Sequence, residues 1–530
     1  IGENSLNSEI KESYRINGVS HLFAISGMHI TLFTSFLLLI LNRISKKKIL
    51  NFLIIVLFLN LYMFLVNYSP SVLRATFFFI FLNIKKIFNL KISNFELIIL
   101  LLLILLIYNP FYIYNLGFIY SFTISIGLIY FSYELNGNYI KALFKTSLIA
   151  FLLSLPININ NNFEVNLLTP LINIFFVPFI SFIVFPLSLL NFIFPFLDNV
   201  LYLVIIILES ISLFITKISL FNLILKKIPF IFLILYYLLI VWIIKNINYK
   251  KVILLVIILL IHSNINYLNK YHSITMLDVS QGDSILIEYP HNKNILVDTG
   301  GIVSYYEAWQ KKENEYSIVK NITIPYLKSR GIKKLNYLII THGDYDHMGE
   351  AINLINNFKV EKVIFNCGEY NDLEHELIEV LDDKKIEYDS CINELNIDDS
   401  KLYFLNTKLF DNENDNSNVI ITELNNYKLL LMGDAGIDKE NEIIQKYKIS
   451  NVDILKVGHH GSKTSSSVEL IDEIKPKYSI ISVGKNNRYG HPNKEVLNVL
   501  DNSKIYRTDQ DGSIMFKIKN NRLKIETCEP

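Results

Sequence analysis

The sequence predicts a polytopic α-helical membrane domain followed by a soluble α/β domain. Three observations carry this. Of the 530 residues, 51% are hydrophobic and only 19% charged, where soluble chains carry roughly 25% charge. Long charge-free runs recur before about residue 271. After that point, short Ile/Val/Leu-rich runs bounded by turn residues alternate with helix-length amphipathic stretches. The chain is too long for one core. With 20 Gly and 3 Cys it is neither collagen-like nor disulfide-rich, and its hydrophobic content excludes general disorder. A formal net charge of +1 carries no overall nucleic-acid signature, so such a partner must be argued locally.

The charge-free runs span 49–73, 97–133, 165–197, 228–244 and 252–269. A helix crosses a bilayer core with about 20 apolar residues, because an unpaired backbone amide in lipid costs several kcal/mol. The run 49–73 therefore makes one span with some excess. The run 97–133 makes two, with the turn at Asn109-Pro110. Pro170, Pro178, Pro186 and Pro195 interrupt the third run, which predicts broken or re-entrant segments around a cavity. Roughly eight to ten membrane segments result. Basic clusters at Arg43 with Lys46 to Lys48, Lys85 with Lys86 and Lys91, Lys141 with Lys145, and Lys245 with Lys250 and Lys251 assign those loops to the cytoplasm. One further span, 252–269, then puts the C-terminal domain outside; Lys226 and Lys227 fit this scheme poorly. Residue 1 is Ile, so residues 1–19 are read as an N-terminal fragment or linker, 20–270 as the membrane domain and 271–530 as the soluble one.

The first membrane segment opens on GVSHLFAISGMHI, residues 18–30. His21, Ser26 and His29 are expensive in lipid unless they face a bundle interior or water. On a helix His21 and His29 lie about 80° apart, so both can look into one wide cavity. Interfacial histidines beside a small-residue packing face are the plainer reading. Arg74, in PSVLRA, is an intramembrane charge and marks a site or a buried pair.

In the soluble half, SITMLDV, SILIEY, NILVDTG, KLNYLIITH, KVIFN, KLLLMGD, DILKVG and YSIISVG read as strands, with helices near 348–357, 370–382 and 466–474. The Asn-rich run 411–418 is a surface loop. Cys367, Cys391 and Cys528 are odd in number and scattered, which predicts no disulfide framework and no zinc ribbon. Eight of the 11 His follow residue 271. After the apolar LNYLII run, His342, Asp344, Asp346 and His347 sit on one strand-end loop, presenting the carboxylates and imidazoles that bind divalent metals. Asp434, the His459-His460 pair and His491 close later strands in the same way. A single Asp after Gly is ordinarily a turn residue; four strand ends that all deliver His or Asp form a pattern.

The order H-x-D-x-D-H, G-D-A, H-H-G-S, G-H-P resembles the metallo-β-lactamase superfamily. That resemblance implies an αββα sandwich with metal at the strand ends. Asp344 stands where the superfamily's first motif usually has His, and no third-motif His is evident between 348 and 433; His375, in a predicted helix, is structural. The harder donor set favours Mn²⁺ or Mg²⁺ over Zn²⁺ as the divalent metal, and phosphodiester over amide hydrolysis. It also leaves a second full metal site in doubt. By motif match His342, Asp344, Asp346 and His347 are metal ligands, Asp434 a terminal or bridging ligand, and His459 a ligand or its support. Asp346, His460 and His491 are then catalytic, and Lys463 with Arg488 bind phosphate. Lys485 adds a further positive residue near these loops. Asp298 is read as a support.

The D-V-x-Q-G-D-S run at 278–284 resembles the terminal domains of competence-type membrane proteins. H-L-x-A-I-S-G-x-H, P-S-x-x-R-A and N-P-x₆-G-F resemble core motifs of the ComEC/Rec2 family, the inner-membrane channel of natural DNA uptake. The resemblance covers nearly the whole chain. It implies an inner (cytoplasmic) membrane, multi-pass protein that carries single-stranded DNA inward through a path including His21, Ser26, His29 and Arg74. A metal-dependent nuclease domain outside the membrane degrades the other strand. The implied partners are double-stranded DNA outside, single-stranded DNA in transit, membrane lipid, other competence proteins including an energy-supplying one (no P-loop is evident), and a second copy of the chain. Family members commonly begin with further helices and an oligonucleotide-binding fold ahead of where this sequence starts. The alternatives are a membrane-anchored metallohydrolase acting on a lipid, nucleotide or cell-wall substrate without transport, and a channel whose hydrolase is inactive. A mere anchor has no use for a polar first segment or Arg74.

Overall fold

The computed structural model describes residues 7–23, 27–218, 221–301 and 316–528. They form two compact units, 1–262 and 263–530.

Among the described residues of the first unit, four helices are long and apolar enough to cross a membrane: Lys48–Leu65, Tyr139–Asn161, Thr169–Ile193 and Pro195–Lys217. Shorter apolar helices cover His29–Ile44, Asn94–Tyr108, Leu116–Tyr130 and Phe230–Ile244. The run 97–133 splits where the sequence predicts. Pro110 opens a 3₁₀ turn to Tyr114, and Asn115 then caps the next helix by accepting the Phe118 amide at 3.0 Å. The run 165–197 breaks once, at Phe194-Pro195; ahead of that point the chain stays helical from Thr169 to Ile193 in spite of three prolines. Pro170 falls in the first turn, Pro178 lies inside the helix, Pro186 follows directly on a π turn at Ile180–Val184, and Pro195 starts the following 3₁₀ turn. A first turn does not need the missing N–H of Pro170, and the wide turn ahead of Pro186 gives room for its ring, so neither ends the helix. Two short strands the sequence did not announce, β1 (Glu164–Asn166) and β2 (Asn222–Ile224), pair antiparallel in this unit.

The second unit contains β3 (His272–Met276), β4 (Ile285–Tyr289), β5 (Lys293–Val297), β6 (Leu335–Ile339), β7 (Val360–Phe365), β8 (Glu387–Ser390), β9 (Glu394–Ile397), β10 (Ser400–Phe404), β11 (Ile420–Leu424), β12 (Tyr427–Leu431), β13 (Ile454–Lys456), β14 (Tyr478–Ile481), β15 (Lys504–Arg507), β16 (Ser513–Lys519) and β17 (Arg522–Cys528). They make an eight-stranded sheet, β17-β16-β3-β4-β5-β6-β7-β8, and a seven-stranded one, β15-β14-β13-β12-β11-β10-β9. Residues alternate between the two faces of a strand, and here both faces are apolar. Ile285, Ile287, Ile295 and Val297 meet Leu402, Ile420, Leu429 and Ile454 of the other sheet. Between them in sequence, Leu286 and Leu296 turn outward to Leu327, Leu354 and Leu377 of covering helices. Leu430 and Leu455 likewise turn to Ile443 and Leu470. The result is an αββα sandwich.

Strands β5 to β8 run parallel, as do β12 to β15. Their carboxyl ends, with the loops that follow, supply the candidate site, as is usual for parallel α/β sheets. Because β7 and β8 are parallel neighbours, the residues after them also meet: Cys367 and Cys391 form a disulfide. This corrects the expectation of none, since a cysteine count carries no knowledge of which strands lie side by side.

Candidate metal centre

The Thr341–His347 loop leaves β6 and is held from below by Asp298, which follows β5. Asp298 accepts the Thr341 amide at 2.8 Å and its hydroxyl at 2.6 Å, and its Oδ2 lies 2.8 Å from His347 Nδ1. That contact fixes the imidazole so that Nε2 faces the pocket. Asp298 is fully buried with a left-handed backbone, φ 58°. From the other side, Gly282 lies so close to the Asp346 carbonyl that a Cβ there would overlap it. Only glycine fits, which explains the Q-G-D spelling before β4.

Asp434 follows β12, and His459 and His460 follow β13. Both histidines adopt left-handed backbone, φ 45° and 54°, a strain on the order of 1 kcal/mol each that surrounding contacts must hold. The His459 amide donates to Gly433 at 3.1 Å, and His460 Nδ1 lies 2.9 Å from the Ser482 carbonyl. His347 Nε2 and His460 Nε2 thereby come within 3.3 Å of each other. Asp434 reaches both, at 3.2 Å from His347 and 3.4 Å from His460, and Asp346 lies 3.3 Å from His460.

These atoms form overlapping groups in which each residue offers one ligand atom, all within 4.8 Å: His342, His347 and Asp434; Asp346, His347 and His460; and Asp283, Asp298 and His347. His342 Nε2 and Asp283 Oδ1 are buried without a hydrogen-bond partner. Such atoms are rare and cost about 1–3 kcal/mol each, a penalty that a cation at this point removes. The donor set fits a divalent metal.

The electrostatics agree. Burial disfavours charge on His347, yet Asp434 and Asp298 outweigh it and raise its pKa well above the usual value. Burial likewise opposes charge on His460, but Asp434 and Asp346 push it up to about 9. Asp434 and Asp346 are held far below the usual carboxylate range despite burial, by the same imidazoles. The carboxylates thus attract positive charge strongly, and a divalent cation competes with protons for the place.

Of the other residues expected from sequence, Asp344 is half-exposed, 3.5 Å from His342 Nε2. His459 sits at the rim, 3.8 Å from Asp434, and His491 lies beyond it, ring centroids 6.1 Å apart. Burial lowers the pKa of both. Lys463 and Arg488 are exposed, outside the cluster. Two central residues were missed, Asp283 and Lys456. Lys456, the last residue of β13, is wholly buried with its ammonium on Asp283 Oδ2, 3.6 Å from Asp434 and donating to Gly433 O at 2.9 Å. A lysine inside the apolar run DILKVG was the available sign.

In the first unit, His21 is exposed, with Nδ1 3.0 Å from Gly18 O. His29 meets Phe185 edge to face at 5.0 Å. Arg74 donates from Nε to Ser121 Oγ at 2.7 Å and lies against Gly27, where a Cβ would come within 2.7 Å of Nη2. The S-G-x-H and P-S-x-x-R-A motifs therefore touch, and the glycine makes room for the guanidinium. Ser26 lies outside the described residues.

The family description "Competence protein" matches residues 1–249, and "Metallo-beta-lactamase superfamily" matches 277–485. The chain is 30% identical over 545 residues to ComE operon protein 3 of Bacillus subtilis, covering 97% of this chain and 69% of that protein. It belongs to the ComEC/Rec2 competence family. Recombination protein 2 of Haemophilus influenzae is 29% identical over 257 residues, 47% of this chain and 29% of its own length. Among solved structures, the metallo-β-lactamase fold protein YhfI of Bacillus subtilis aligns at 12% identity with a TM-score of 0.28, covering 44% of this chain and 96% of its own. As a ComEC/Rec2 member the chain is a membrane protein of competence, the state of DNA uptake. Its second unit has a fold built to bind divalent metal.

Proposed function

We propose that the chain conducts single-stranded DNA across the cytoplasmic membrane during natural transformation, and that its second unit is a metal-dependent phosphodiesterase that degrades the strand left behind. The observation that carries this reading is the cluster of three imidazoles and two carboxylates, His342, His347, His460, Asp346 and Asp434, at the sheet ends of a competence-family protein. Asp344, half-exposed beside His342, completes the set at the solvent side. The carboxylates Asp344, Asp346 and Asp434 are the ground for taking Mn²⁺ or Mg²⁺ as the metal, while the three imidazoles also suit Zn²⁺. When bound, such a metal neutralises phosphate charge and makes water acidic enough to attack at neutral pH. The protein's own residues supply the rest. Asp298 orients His347, and the Ser482 carbonyl orients His460. Lys456 balances Asp283 and part of Asp434. His459 and His491, neutral at the rim, would take up the proton released by the attacking water and return it, as imidazolium, to the leaving oxygen. Lys463 and Arg488 meet the approaching phosphates.

In the membrane unit, His21, Ser26, His29 and Arg74 border the strand's path, with Arg74 facing phosphate. The second unit faces outward. A disulfide at Cys367–Cys391 supports that side, because such bonds persist in oxidising compartments. Duplex DNA, membrane lipid, an energy-supplying competence partner and a second copy of the chain complete the proposed set of partners.

The test uses the full chain in detergent with end-labelled single- and double-stranded DNA and Mn²⁺, Mg²⁺ or Zn²⁺. Cleavage is expected with Mn²⁺ or Mg²⁺ and at least about 100-fold less in Asp346→Ala. Absence of cleavage with all three metals sinks the nuclease. If a lipid or cell-wall phosphodiester is hydrolysed instead, the membrane-anchored hydrolase without transport takes its place.

A further inference from the structure

On the phosphodiesterase reading the His/Asp cluster takes the phosphate of a substrate, and a second set of residues is placed to address what the phosphate carries. From Asp434, aromatic rings step outward. His459 Nε2 is 3.8 Å from Asp434 Oδ2, the His459 and His491 rings meet edge to face at 6.1 Å, and the Tyr489 ring lies nearly parallel to His491, 13° between planes and centroids 5.9 Å apart. Tyr489 is the outermost ring and is 56% exposed. Large apolar side chains of the second unit are otherwise mostly interior, and this one stands on a loop with no core to join. Arg488 places its guanidinium carbon 5.6 Å from the Tyr489 centroid.

The loop is built to hold this ring. Asn487 donates from Nδ2 to Gly484 O at 3.2 Å and His491 O at 2.7 Å, and accepts the His491 amide on Oδ1 at 3.0 Å, closing the turn on both sides of Tyr489. The Gly484 amide donates to Gln281 Oε1 at 3.4 Å, tying the turn to the loop that carries Asp283. The Asn493 amide donates to Gly461 O at 2.8 Å, tying its far end to the turn that carries His460. Tyr489 therefore has a fixed place relative to the cluster. The cations on these loops suit a polyanion: Lys463, Lys485 and Lys494 are exposed, and none makes an ion pair among the described residues.

We propose that Tyr489, backed by His491 and flanked by Arg488, is a stacking platform for an unpaired nucleobase next to the scissile phosphate. The substrate class of the site is then single-stranded nucleic acid. This rests on the phosphodiesterase reading and deepens it. An exposed ring offers its face to any base without hydrogen-bond readout, which gives affinity without sequence preference. A paired base cannot use it, because its faces are covered by neighbours in the duplex. Arg488 adds a cation beside both ring and backbone.

The experiment compares two strands of equal charge, an oligothymidylate of about twelve nucleotides and an abasic strand of the same length. The full chain is used as wild type, Tyr489→Ala and Tyr489→Phe. Binding is read by fluorescence anisotropy in EDTA, and cleavage in Mn²⁺ as KM and kcat separately. Wild type is expected to bind the base-bearing strand about ten-fold more tightly than the abasic one. Tyr489→Ala should remove that preference through KM while kcat and abasic binding stay within about two-fold, and Tyr489→Phe should keep it. Equal binding of the two strands by wild type, or an unchanged preference in Tyr489→Ala, overturns the platform whether or not the chain cleaves DNA. A preference for the base-bearing strand without cleavage keeps the platform and removes the phosphodiesterase.

Discussion

Asp298 shows how a buried residue behind the pocket sets what its neighbours bind. Its two oxygens hold the Thr341 backbone, the Thr341 hydroxyl and His347 Nδ1, and so decide which nitrogen of His347 faces Asp434. Asp298→Asn keeps the volume and one acceptor oxygen but removes the charge behind the imidazole. Loss of such a supporting partner typically costs 10- to 100-fold in metal affinity. The expected outcome is a Mn²⁺ dissociation constant raised by about that factor in calorimetric titration, with the thermal unfolding of the metal-free protein little changed. An unaltered affinity would show that His347 is oriented by something else. Lys456 acts on the same cluster by another route: a fixed cation among Asp283 and Asp434 lowers the charge that a metal must balance. That is a physical reason why an acidic cluster of this density folds at all.

At the scale of elements, the helix Asp372–Lys384 is coupled to the metal loop through its first turn. Asn371 and Glu374 form a capping box, and Asn371 Nδ2 also donates to Gly343 O at 2.8 Å. Glu374 is wholly buried beside that loop. Burial, aided by Glu413, pushes its pKa up to about 7, although the Asn371 amide pulls the other way. In the unfolded chain a glutamate releases its proton near pH 4.3. Between these values the folded state holds more protons, so this carboxyl's contribution to stability is full below the lower value and is lost as pH rises through about 7. Glu374→Gln keeps the cap acceptor and removes the titration. Measured without metal, the unfolding temperature of wild type relative to Glu374→Gln is expected to fall between about pH 4.5 and pH 7.5 and then level off. A constant difference across that range would rule the account out.

Much of this was legible. The H-x-D-x-D-H, G-D-A and H-H-G-S runs follow apolar strands, and a strand followed by a polar loop is a local pattern. What escaped depends on contacts across elements. The Asp283–Lys456 pair joins the β3–β4 loop to β13, the Cys367–Cys391 pair joins the ends of β7 and β8, and Pro186 of Thr169–Ile193 follows directly on a π turn. None of these has a one-dimensional period.

For the molecule as a whole, the open physical matter is which side of the membrane each unit serves. On the proposed topology the basic clusters of the first unit face the cytoplasm and the second unit lies outside. The disulfide is independent of those clusters. Cys367 follows β7 and Cys391 follows β8, while Cys528 is free and exposed. In a reducing cytoplasm all three would be thiols; outside, the first two would be joined. Alkylation of intact cells with a membrane-impermeant maleimide is therefore expected to label Cys528 alone, and to label Cys367 and Cys391 only after reduction and unfolding. The bridge also bears on the site. Asn366, next to Cys367, donates to Glu413 at 3.2 Å, and the same Glu413 oxygen accepts the Gly343 amide at 3.4 Å. Cys367→Ser/Cys391→Ser is thus expected to loosen the metal loop and to cost about 3 kcal/mol of stability for a loop of this length, while leaving every metal-ligating residue in the chain. No labelling of any of the three cysteines in intact cells, with all three labelled once the membrane is permeabilised, would place the second unit in the cytoplasm. The strand it degrades would then be an incoming one, and the proposed division of labour between the two units would have to be reversed.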